Sequence, residues 1–168
     1  MPSIGRFREY ATVCAAGVLS VLGDAAYAAT ATTTMTVQVT ITATCTINSA
    51  STLNFGTQGV LTTNVDQTST IQVTCTNTTP YNIGLNAGTG SGATVATRKL
   101  TSGANTVNYT LYSNSGRTTV WGNTVSTDTV AGTGNGAAQN YTVYGRIPAQ
   151  TTPAPGAYTD TITVTVTY

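Results

Sequence analysis

The chain has 168 residues, and only 7% of them are charged against roughly 25% in an ordinary soluble domain. Six Lys and Arg face five Asp and Glu, histidine is absent, and no basic cluster exists; nothing is there to hold a phosphate backbone, and imidazole-dependent triads and metal sites are excluded. The acids Glu9, Asp24, Asp66, Asp128 and Asp160 stand far apart, so no carboxylate pair is set for hydrolysis, and the inventory predicts no enzyme, no cofactor and no metal site.

Taken in chain order, the first element is an export signal. Arg6 and Arg8 precede an apolar and small-residue run from Ala11 to Leu22, and Ala26-Tyr27-Ala28 offers small residues where a signal peptidase reads. The run is too short for the roughly 20 residues of a spanning helix. A Sec signal over residues 1–28 is therefore expected, with no transmembrane segment in the mature chain, and Cys14 leaves with the signal. Two cysteines remain, Cys45 and Cys75. In an exported chain an even pair is most simply one disulfide, and neither a CxxC redox spacing nor a zinc spacing is present.

From Met35 to Cys45 every odd position is apolar or small and every even one is Thr or Gln. Period two predicts a strand with one dry face. This stretch is either an edge strand whose Met35, Val37, Val39 and Ile41 pack on the local core, or an extension whose apolar face another molecule must cover. The alternation returns in Ile71, Val73 and Cys75, in Tyr81, Ile83 and Leu85, in Val107, Tyr109 and Leu111, in Tyr141 and Val143, and over Tyr158–Tyr168. Clusters at Ala87–Ala93, Ser113–Gly116, Ala131–Ala137 and Pro148–Gly156 read as loops. Trp121 reads as a core or loop anchor. Threonine fills 40 positions; its branched Cβ favours extended backbone and its hydroxyl suits a wet sheet face. The sum predicts an all-β antiparallel sandwich.

The final strand runs through Ile162, Val164 and Val166 to Tyr168 without a polar tail to blunt it, an edge that isolated proteins avoid. Strand addition between molecules is one way to cover such ends.

The pattern Cys45-Thr46-Ile47, Leu53-Asn54-Phe55-Gly56, Ile71-Gln72-Val73-Thr74-Cys75 and Gly156-Ala157-Tyr158-Thr159-Asp160-Thr161, followed by Thr163-Val164-Thr165-Val166, resembles the spore coat protein U domain family. That family includes major subunits of archaic chaperone-usher pili. The resemblance implies an immunoglobulin-like sandwich missing its last strand, with residues 29–44 as a donor-strand extension and 45–168 as the pilin domain. It implies that Met35, Val37, Val39 and Ile41 enter a neighbour's groove. Ile162, Val164, Val166 and Tyr168 would edge the acceptor groove and pair with a periplasmic chaperone whose basic residues hold the terminal carboxylate. Cys45 and Cys75 would form the family's disulfide. The implied partners are that chaperone, an outer-membrane usher, and identical or related pilin subunits, with delivery through the periplasm to a surface fimbria serving adhesion or biofilm formation. A coat protein of a resting cell and a tip adhesin are the alternatives.

Overall fold

Branched and aromatic side chains at every second position favour extended backbone with one buried face, and from Cys45 onward the chain builds such strands. A computed structural model describes residues 27–168; the expected export signal lies outside the described residues except for its last two. The chain divides into two units between Val39 and Thr40. In the first, residues 27–39 belong to no strand. The second carries β1 (Cys45–Ala50), β2 (Val65–Cys75), β3 (Pro80–Leu85), β4 (Arg98–Ser102), β5 (Asn105–Tyr112), β6 (Val130–Thr133), β7 (Ala138–Ile147) and β8 (Val164–Thr167). No helix occurs among the described residues.

The strands form a five-stranded sheet, ordered β1-β2-β7-β5-β4, and a three-stranded sheet, ordered β6-β3-β8, and all pairings are antiparallel. β1-β2-β7 and β3-β8 take the A-B-E and C-F places of an immunoglobulin-like sandwich. The place beside β8, where such a sandwich carries its last strand, is filled by no strand among the described residues. This is the expected fold class.

The predicted inward series make the core. Ile71, Val73 and Cys75 of β2, Tyr81, Ile83 and Leu85 of β3, Val107, Tyr109 and Leu111 of β5, and Val143 of β7 are all buried. Cys45 and Cys75 are register partners at the open end of β1 and β2, and they are joined as a disulfide. Trp121 is a core anchor at 1% exposure, its Nε1 donating to the Ile83 carbonyl at 2.8 Å.

Three expectations are corrected. The strand expected over Met35–Cys45 does not form, and only its last residue, Cys45, belongs to a strand, as the first residue of β1; residues 29–44 form no ladder, because alternation prepares a chain for pairing and a ladder needs a second strand. The expected loop Ala131–Ala137 begins inside β6. There Gly132 serves by having no side chain, since a Cβ would meet the Tyr81 ring at 2.6 Å. The closing run from Tyr158 becomes ladder only at Val164, because its earlier part crosses between sheets: Thr159 bridges to Thr101 of β4, whereas Val164 pairs with Leu85 of β3. The short β4, Arg-Lys-Leu-Thr-Ser, has one apolar residue and so no period that marks it as a strand in the sequence.

Candidate functional site: an open groove between two sheet edges

β1 is an edge of the larger sheet and β8 an edge of the smaller. Between them runs a cleft of about 300 Å³, walled by Ala50–Leu53 on one side and by Ile162 and Val164 on the other, with the apolar side chains of Ile71, Leu85 and Val143 beneath. A second cleft of about 700 Å³ shares Leu53, Phe55 and Leu100 with the first. Leu53 and Phe55 come close over Gly145 of β7, where a Cβ would meet Leu53 at 2.7 Å and Phe55 at 3.0 Å.

The free edge of β8 is a row of unused backbone groups. The Asn86 amide donates to the Thr163 carbonyl at 3.2 Å. Antiparallel alternation then turns the backbone groups of Thr163, Thr165 and Thr167 toward β3 and those of Val164 and Val166 away from it. The Leu85 amide, opposite Val164, obeys the same alternation and donates outward to Gly122 at 2.8 Å. The side chains of Val164 and Val166 meanwhile pack against the core. An added strand would therefore find amides and carbonyls along its edge and apolar surface beneath it.

One charged residue lines the groove. Asp160 accepts a bond from the Tyr109 hydroxyl at 2.7 Å, and Tyr109 is part of the floor. Burial, and then the bond to Asp160, push the Tyr109 hydroxyl above its ordinary pKa, which keeps it protonated and donating. The Tyr109 and Phe55 rings meet edge to face at 6.2 Å. The other carboxylate cluster does not line the groove: Asp66 takes bonds from Arg146 at 2.7 and 2.8 Å and lies 3.3 Å from Arg117.

Of the residues singled out from sequence, Ile162 and Val164 wall the groove. Val166 sits in β8 opposite Ile83; Tyr168 follows β8 at 60% exposure. Met35, Val37, Val39 and Ile41 belong to no ladder and are exposed at 84, 82, 83 and 74%. Sequence reasoning missed the Leu53–Phe55 wall, Asn86, Tyr109 as floor, Asp160 and Arg98. Arg98 is fully buried. Its guanidinium donates to the carbonyls of Asn86 (2.8 Å), Val95 (2.8 Å), Leu85 (2.9 Å) and Trp121 (2.7 Å). An arginine in a chain with only six Lys and Arg was the available signal.

A family model described as the Spore Coat Protein U domain matches residues 31–165. A similar solved structure is that of the CsuC-CsuE chaperone-tip adhesion subunit pre-assembly complex from archaic chaperone-usher Csu pili of Acinetobacter baumannii. It matches at TM-score 0.55 and 27% identity, over 77% of this chain and 40% of that one. The chain thus spans less than half the length of that relative. No curated protein matches it.

Proposed function

The chain belongs to the Spore Coat Protein U domain family, and on that premise we propose that it is a structural subunit of a chaperone-usher surface pilus, polymerised by donor-strand exchange. The observation that carries this reading is the free edge of β8 beside a groove with apolar side chains at its base in a chain that also presents four exposed apolar side chains at alternate positions, Met35 to Ile41. Burying these four in a neighbour's groove contributes about 6 to 12 kcal/mol, at about 1.5 to 3 each, before ordering costs. Residues 29–44 are the donor, and they run directly into Cys45, the first residue of β1. Head-to-tail contacts of this kind do not close, so they build a filament.

Before assembly a periplasmic chaperone strand covers the groove at Ile162, Val164, Val166 and Tyr168, an outer-membrane usher exchanges it for the next subunit's arm, and the product is a fimbria at the cell surface serving adhesion or biofilm formation. The arm favours a position within the shaft over one at the tip, because a tip subunit has no groove ahead of it to fill. The test is Val39→Asp or Ile41→Asp. Each is expected to leave chaperone-bound monomer intact and to abolish polymer in gel filtration and electron microscopy; normal polymer from either variant removes the proposal.

A further inference from the structure

The wall of the groove that carries β8 is held in place by polar bonds as well as by apolar contact. Its side chains Ile162, Val164 and Val166 are only half-buried, which is what an open groove dictates. The segment leading into β8 is instead tied down at three points. Thr159 and Thr101 exchange backbone bonds at 2.8 and 3.1 Å. Asn86 Oδ1 accepts from the Thr163 amide at 2.9 Å and from the Gly88 amide at 3.1 Å. Between these, the Asp160 carboxylate accepts four bonds: from the Thr89 amide (2.8 Å) and hydroxyl (2.9 Å), from the Thr161 amide (2.8 Å), and from the buried Tyr109 hydroxyl (2.7 Å).

The loop Ala87–Ala93 is part of this clasp. Gly88 has φ +83°, and a Cβ there would run into the Asp160 carboxylate. Its left-handed backbone and its lack of a side chain are both needed to bring Thr89 onto Asp160. The loop thus closes on a carboxylate that stands in the groove wall.

We propose that Asp160 is a positioning residue of the acceptor groove, holding the free edge of β8 and the ring of Tyr109 ready for an incoming strand and thereby setting the rate at which a strand is taken up. This rests on the donor-strand reading above. The physical reason is preorganisation. In the empty groove β8 has a ladder partner on one side only, and Asp160 supplies the order that packing does not. Once a strand is seated, β8 gains a second ladder partner and Ile162 and Val164 are covered, so the filled groove depends on the clasp far less. Loss of the clasp therefore falls on association rather than on dissociation.

The experiment measures, for the full chain, the rate of polymer growth after release from its chaperone and the rate at which finished fibres dissociate. Asp160→Ala loses all four bonds and is expected to slow growth by about tenfold or more, given the strength of bonds to a charged acceptor, with dissociation within about twofold of wild type. Asp160→Asn keeps an acceptor at Oδ1 and a polar partner for Tyr109, and it is expected to restore growth to within about threefold. Tyr109→Phe removes one bond while keeping the ring, and it is expected to slow growth about threefold; it serves where Asp160→Ala yields no soluble chain. Growth at the wild-type rate in Tyr109→Phe or in Asp160→Ala overturns the proposal, as does dissociation that rises as much as growth falls. Val39→Asp separates the two levels. If it is blocked while Asp160→Ala grows normally, only the positioning role fails; if Val39→Asp itself grows normally, both readings fail.

Discussion

Arg98 offers the sharpest quantitative test of how the sandwich is held. It is a cation at 0% exposure whose partners are all backbone carbonyls, four of them, at 2.7 to 2.9 Å. Burial pulls its pKa below the ordinary arginine value, and Tyr109, Asp160 and Asp128 oppose that shift. The four carbonyls belong to Leu85 at the end of β3, to Asn86 just after it, to Val95 in the loop before β4 and to Trp121, so one side chain ties that loop to β3 and Trp121, which are already bonded to each other. Replacing it by methionine fills much of the volume but leaves four buried acceptors, each costing about 1 to 3 kcal/mol when unpartnered; release of the desolvated guanidinium offsets several kcal/mol. The expected net loss, the acceptor costs less that offset, is about 3 to 5 kcal/mol. Arg98→Lys, with three donors, recovers part of it. Trp121 is the chain's one tryptophan, and urea unfolding followed by its fluorescence reads the change, because its carbonyl is one of the four acceptors. A loss below about 1 kcal/mol in Arg98→Met refutes the reasoning.

Removing the disulfide by Cys45→Ala with Cys75→Ala opens a loop with a sequence separation of 30, and the expected loss is about 3 to 4 kcal/mol in unfolding free energy from urea titration; an unchanged value contradicts it. Gly145→Ala places a methyl against Leu53 and Phe55 and is expected to destabilise the chain by about 1 to 3 kcal/mol and to weaken polymer, both read from thermal melts of subunit and fibre. The bond from Arg146, aided by the charge of Arg117, lowers the pKa of Asp66 below 3.8. A depressed folded-state pKa means that this contribution is present above the unfolded value and is lost as pH falls through the folded one. Asp66→Asn is accordingly expected to flatten the melting temperature below about pH 4 and to lower it slightly at pH 7; an unaltered acid limb argues against the role.

Much of the fold was legible because its signal is local. Ile71, Val73 and Cys75, or Tyr81, Ile83 and Leu85, alternate in sequence and lie buried in the structure, since period two is a property of a single strand. β4 and β6 were not legible, because what makes Arg98–Ser102 and Val130–Thr133 strands is a partner, and in β6 the rings of Tyr81 and Tyr141 packed over Gly132. The site divides in the same way. Ile162 and Val164 could be marked as an unblunted strand from their alternation and as groove edge only through the family resemblance, and Met35 to Ile41 as an apolar face that either the local core or another molecule covers. Asp160, Asn86 and Arg98 could not, because their roles are fixed by atoms distant in sequence: Arg98 reaches Leu85 across 13 positions and Asp160 meets Tyr109 across 51. Isolated polar residues carry no period.

The central claim is that the outward backbone edge of β8 takes a strand from another copy of the chain. Amide hydrogen exchange of Val164 and Val166, measured residue by residue in assembled fibres, tests it most directly. Strand addition predicts strong protection of both amides in fibres and rapid exchange in a subunit whose arm carries Val37→Asp and Val39→Asp. Rapid exchange of both amides within intact fibres contradicts the account, because the edge would then still face water after assembly.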